Sequence, residues 1–139
     1  MRRFLKLAAA LTASGGRAFT ERAAALYVAI GAVSAIVFGG NGMHPRHLTR
    51  ASAGHLGLRV ALWALWLLIT TPAARALLVM PSTFALRALP VPRVWLTFVP
   101  MAHLVFAEGP WLLLWSVGDG WIAGLAAGLA AAAAHALIV

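Results

Sequence analysis

The chain has 139 residues; 63% are hydrophobic and 10% charged, with 11 Lys and Arg against 3 acidic residues and a formal net charge of +8. Mean hydropathy is +0.90. A soluble domain carries about 25% charged residues, and a chain of this size leaves too much surface exposed to hide so much apolar area from water. A soluble globular enzyme is excluded on that ground, as is a disordered chain, which needs low hydrophobicity. The expected class is an all-α, polytopic membrane protein.

In chain order, residues 1–22 form a basic N-terminal segment. Arg2, Arg3 and Lys6 interleave with Phe4, Leu5 and Leu7, the pattern of an interfacial helix at the headgroups. A signal peptide with a break near Ala13-Ser14-Gly15 is the competing reading. The interfacial helix is preferred, because Arg17 and Arg22 then flank the next span. Spanning the hydrocarbon core takes about 20 apolar residues. Four segments qualify: residues 23–40, 56–80, 94–117 and 121–139. Residues 23–139 are therefore expected to be one bundle of about four transmembrane helices. A β-barrel would show many short segments alternating in polarity.

Orientation follows from the basic residues. Arg2, Arg3, Lys6, Arg17, Arg22, Arg75, Arg87 and Arg93 fall on one side, and Arg46, Arg50 and Arg59 on the other. Both termini are thus expected in the cytoplasm of a cell whose plasma (inner) membrane holds the chain, although the first loop is more basic than an outside loop should be. These scattered cations form no aromatic-interleaved patch, which argues against nucleic acid as a partner. Pro72 interrupts the second span, where Thr70 or Thr71 can satisfy freed carbonyls. Pro81, Pro90 and Pro92 stiffen the following loop, and Pro100 and Pro110 bend the third span. In the fourth span Gly120, Gly124 and Gly128 recur at steps of four, a face that admits a close helix neighbour or a flat ligand, with the helix as the usual occupant. Of the tryptophans, Trp95, Trp111, Trp115 and Trp121 fall near span ends, and the outermost suit interfacial anchoring.

Ionisable groups inside a span are costly and are functional candidates by default. His103, Glu108 and His135 stand out. His103 precedes Asp119 by as many residues as His135 follows it, so in an antiparallel pair both lie about 24 Å from the turn. Two imidazoles at one depth can ligate a heme iron axially, as a centre that moves electrons without an open position. Each can equally hydrogen-bond a helix carbonyl. Glu108 can relay protons, bind a quinol headgroup, or be a protonated carboxyl bonded to Ser116, Thr70 or a partner; the structural role is preferred. His44 and His47 form an HxxH pair without a carboxylate or cysteine to complete a site, so a basic loop facing headgroups is preferred to a metal site. His55, at the head of the second span, is a candidate ligand for a second, outer heme. The chain has no cysteine, which excludes thiol redox chemistry, iron–sulfur clusters and covalent heme attachment. No nucleophile–base pair or phosphate loop occurs.

Three stretches carry a resemblance. Asn41-Gly42-Met43-His44-Pro45, Gly54-His55-Leu56-Gly57-Leu58-Arg59 and Leu68-Ile69-Thr70-Thr71-Pro72-Ala73-Ala74-Arg75, with Pro81-Ser82-Thr83, Leu86-Arg87, Arg93 and Met101-Ala102-His103-Leu104-Val105-Phe106 further on, resemble the ferric reductase-like transmembrane superfamily. The nearest likeness is to the heme-binding membrane subunits of methionine-sulfoxide reductase systems. Where some relatives carry a second histidine three residues after the first, this chain has Phe106. The resemblance implies heme b between antiparallel helices with His103 as an axial ligand, a quinol or flavin electron donor, and a redox partner subunit. By contrast, Leu86-Arg87-Ala88-Leu89-Pro90-Val91-Pro92-Arg93 resembles the coupling loop of ABC-2-type exporter permeases, of which this chain would be half. A cofactor-free assembly subunit is the third reading.

Overall fold

The computed structural model describes the backbone of residues 2–78 and 93–139, with the side chains of nearly all described residues from 23 onward. Among these residues the chain is entirely helical. Loop prolines 81, 90 and 92, the permease-like stretch and the side chains of Arg2, Arg3, Lys6 and Trp95 lie outside the described residues.

Helix α1 runs from Arg2 to Phe38 as one element. It crosses the boundary expected between an interfacial helix and the first span without a backbone break. Helix α2, Pro45–Gly54, occupies what reads in the sequence as a loop. Its start has a clear local cause. His44 holds an extended backbone and accepts the Arg46 amide on Nδ1 at 3.1 Å, and Pro45 supplies a preset first helical residue. Helix α3, Leu56–Leu78, continues through Pro72. The Thr70 and Thr71 hydroxyls each donate at 2.6 Å to the carbonyls of Trp66 and Leu67, one turn back along the helix.

Helix α4, Arg93–Ala107, and helix α5, Gly109–Asp119, meet at Glu108 with a bend of 53°. The cause is Pro110, which cannot donate to the carbonyl four residues earlier and whose ring crowds it, next to a permissive glycine. Tyr27 of α1 reaches the break and donates its hydroxyl proton to the Ala107 carbonyl at 2.7 Å. After Gly120, which turns the chain with φ +98°, helix α6 runs Trp121–Ile138.

Helices α5 and α6 form the most extensively packed hairpin, α2 lies across its turn, and α1 leans on α3 and α4. Lipid tails are as apolar as leucine, so helices in a bilayer associate through close packing of small residues more than through hydrophobic burial. The interior here follows that rule. Ala73, Ala74, Ala76, Ala127, Ala131 and Ala132 are all buried. Gly124 and Gly128 carry the α6 face that α5 covers: a Cβ at Gly124 would stand 1.8 Å from Ser116 Oγ and 2.6 Å from the Leu112 carbonyl oxygen. The glycine face thus receives a helix. Trp111 and Trp115 belong to this interior, which corrects any reading of them as membrane-surface anchors. Trp111 stacks on Trp66 at 5.3 Å and meets Trp63 and Trp115 edge-on. Trp121 is 62% exposed, as an interfacial residue should be.

The outward faces of α3 to α6 carry Leu65, Leu68, Phe98, Phe106, Leu113, Ile122, Leu129 and Leu137, all exposed, a belt that lipid and not water satisfies. Among the described residues, α3 and α6 are long and apolar enough to cross a bilayer, and the bent α4–α5 pair makes a third span if counted as one. The apolar Ala23–Phe38 part of α1 is shorter. Of the four spans the sequence suggests, two or three are matched by helices of sufficient length and apolarity among the described residues.

Candidate functional site

The polar interior of the bundle centres on Glu108 and His135, which are 1% and 0% exposed. Glu108 sits at the α4–α5 break; His135 lies in the last turn of α6, on the same buried face as Gly124, Gly128 and Ala131. His135 Nδ1 is 2.8 Å from Glu108 Oε1. The other carboxyl oxygen, Oε2, accepts the indole N–H of Trp66 at 2.5 Å. His135 Nε2 is 3.2 Å from both Thr70 Oγ1 and the Leu67 carbonyl oxygen. Helices α3 and α6 both begin at the α2 end of the molecule, and Thr70 and His135 lie equally far along them, about 21 Å at 1.5 Å per residue. That depth is well inside a hydrocarbon layer of about 30 Å.

These partners fix most of the protons. A carbonyl oxygen only accepts, and the Thr70 hydroxyl already places its proton on the Trp66 carbonyl, so Nε2 must carry hydrogen. Trp66 donates to Oε2, so that oxygen accepts. One proton remains, on the line between Nδ1 and Oε1. It can sit on the carboxyl beside a neutral imidazole or on the imidazole beside a carboxylate, and the pair is neutral overall in both forms. Such neutrality is what makes two ionisable groups tolerable in an apolar interior, where an unpaired charge is very costly.

The sequence pairs His103 with His135; the structure pairs Glu108 with His135. Counting from the turn treats residues 94–117 as one straight helix, and the 53° bend at Glu108 takes α4 out of that register. His103, half-buried on α4, donates Nδ1–H to the Val99 carbonyl oxygen at 2.7 Å on its own helix. His55 is exposed at the junction of α2 and α3. As arranged, a bis-histidine heme between His103 and His135 does not fit. An axial ligand needs a ring nitrogen with a free lone pair, and on His135 Nε2 is a donor to two oxygens while Nδ1 is held by Glu108. An open apolar groove of about 620 Å³ at the helix break is lined by Tyr27, Val105, Phe106, Pro110, Leu113 and their neighbours, with no histidine in its wall. Among the described residues no group of three or more His, Cys, Asp or Glu could hold a metal ion.

Glu108 bonds neither Ser116 nor the Thr70 hydroxyl directly; the indole of Trp66 on Glu108 and the Leu67 carbonyl on His135 are the partners that the sequence did not indicate. The Trp111 and Trp115 indole nitrogens and Ser116 Oγ are buried without a hydrogen-bond partner, so Trp66 stands apart as the indole of its cluster that serves the carboxyl.

A second polar cluster lies at the other end of the hairpin. Thr49 and Ser52 are buried. Thr49 Oγ1 is 2.8 Å from Asp119 Oδ1 and 3.2 Å from the Arg46 carbonyl oxygen. Ser52 donates to the Thr49 carbonyl at 2.7 Å, and Arg46 Nε donates to the Gly118 carbonyl at 3.4 Å. His44 is the N-cap of α2, so that member of the HxxH pair serves helix initiation. Comparison of the chain with protein-family models, curated proteins and solved structures returns no match.

Proposed function

We propose that this is a helical membrane protein whose working centre is the Glu108–His135 pair, a carboxyl–imidazole couple that holds one proton inside the bilayer and exchanges it when charge changes nearby. Membrane redox and transport subunits need such a group. The observation that carries this reading is the 2.8 Å Nδ1–Oε1 contact at full burial, with further hydrogen bonds to the pair from Trp66, Thr70 and Leu67. Intramembrane carboxyl–histidine chains serve as proton relays in pumps and transporters. Infrared spectroscopy of the protein in lipid tests it. A carboxyl C=O band absent from Glu108→Gln should change intensity as pH is taken from acid to alkaline. A Glu108 band unchanged throughout that range makes the pair a structural pin and overturns the reading.

A second reading, a b-type heme electron-transfer subunit of ferric reductase-like type in a bacterial inner membrane, is favoured by one contact. Because Nδ1–H of His103 is fixed on Val99, Nε2 of the neutral ring keeps its lone pair, the arrangement in which histidines ligate metals. Protein purified with heme supplied should then show a Soret band that His103→Ala abolishes. A colourless protein ends this reading.

A further inference from the structure

We infer that α2 is a binding site for the headgroups of anionic phospholipids. The helix lies across the end of the bundle: it packs on α5 beside the hairpin turn and on the start of α3. Both candidate spans begin there, α3 at Leu56 and α6 at Trp121. The exposed Leu56 and Trp121 mark that level as the membrane surface, where tryptophan concentrates. At this level α2 turns Thr49 and Ser52 inward and leaves Arg46, His47 and Arg50 exposed. Arg46 and Arg50 are neighbours on one face, a helical turn apart.

These cations have no counter-ion in the described protein. Asp119 is the nearby carboxylate, and its Oδ1 takes the Thr49 hydroxyl. Glu108 is taken up by His135, deep in the bundle. Arg46 is held in place through Nε on the Gly118 carbonyl, which leaves its terminal amino groups for a phosphate, and guanidinium groups match phosphate oxygens in a two-point fork. A lipid is the occupant that satisfies both halves of this surface: its phosphate meets the arginines while its tails lie on the exposed leucine and tryptophan. The site also accounts for the excess of arginine in a loop that the charge count assigns to the less basic side, since those residues serve lipid contact and not topology.

The test measures lipid retention by native mass spectrometry of the intact chain in detergent, with phosphatidylglycerol or phosphatidylcholine added. Wild type should retain phosphatidylglycerol about thirtyfold more strongly, from roughly one kcal/mol per arginine near an anionic surface for two arginines, converted to an affinity ratio. The double variant R46Q/R50Q should lose that preference, and Arg75→Gln, on the far part of α3, should keep it. Arg50→Gln alone leaves the Arg46–Gly118 bond intact and should lose about fivefold, so a folding failure in the double variant does not hide the result. Equal retention of the two lipids, a double variant that binds like wild type, or displacement of phosphatidylglycerol by millimolar inorganic phosphate overturns the proposal.

Discussion

The two ends of the α5–α6 hairpin each carry a polar cluster, and the two differ in kind. At the closed end, Thr49, Ser52 and Arg46 of α2 donate to oxygens that can only accept. No proton there has two homes, and the turn is partly open to water through the exposed Asp119 and Gly120. At the other end, Glu108 and His135 meet at full burial with one proton between two basic atoms. The first cluster is a fastening. The second has two protonation arrangements of equal net charge. Hydrogen-bond number does not separate them; the chemistry of the donors does.

Four substitutions can break or sharpen the comparison. The largest effect is expected from Glu108→Ala, which leaves His135 and Trp66 without a buried acceptor and should cost about 3–5 kcal/mol, as removal of one member of a buried pair does. Unfolding in detergent measures it, and a loss below that of the closed-end variants would invert the ranking. Next is Gly118→Ala. A Cβ there would stand 2.3 Å from Thr49 Cγ2 and 2.6 Å from its hydroxyl oxygen; α2 must shift, at about 1–3 kcal/mol, and proteolysis in the 45–54 segment should quicken while the Glu108 infrared band stays unchanged.

Thr49→Val keeps the shape but removes the bond to Asp119, whose carboxylate can fall back on water. About 1 kcal/mol is expected, and a double-mutant cycle with Asp119→Ala should show that the two residues share that loss. Smallest in stability, under about 1 kcal/mol, is Glu108→Gln, whose amide oxygen can accept from Trp66 and whose NH₂ can donate to Nδ1. Its effect should instead be spectroscopic: with no proton left to move, nitrogen NMR of the His135 ring should show a neutral imidazole at every pH down to strong acid. A ring that still protonates near neutral pH would mean that the proton never belonged to the pair.

The sequence made much of this legible. Composition alone identifies a membrane protein, and the apolar runs locate α3 and α6 within a residue or two. The steps of glycine and alanine on α6 expose its packing face, since close helix approach demands small residues whatever the partner. Glu108 and His135 are both visible as ionisable groups inside spans. Their pairing is not, for a physical reason: depth can be counted from a turn only while a helix stays straight, and the Gly109-Pro110 break ends that. Counted only along the straight α5 arm, Glu108 comes within about 7.5 Å of the depth of His135, a gap its long side chain can help to close. The role of Trp66 left no signal, because an indole in an apolar run looks like core packing until a carboxyl is placed beside it. Helix α2 was hidden by its polarity, being stabilised by a histidine cap and by a glycine on another helix and not by an apolar stripe.

Helix α1 has a mechanical consequence. At 37 residues it measures about 55 Å at 1.5 Å per residue, against about 30 Å of hydrocarbon. Its earlier turns, with Arg17 and Glu21 exposed, continue the same rod beyond the apolar Ala23–Phe38 part. The same rod grips the Ala107 carbonyl through Tyr27, one peptide from Glu108. Torque applied to those earlier turns therefore arrives, with no loop to absorb it, at the joint where the buried carboxyl is hung.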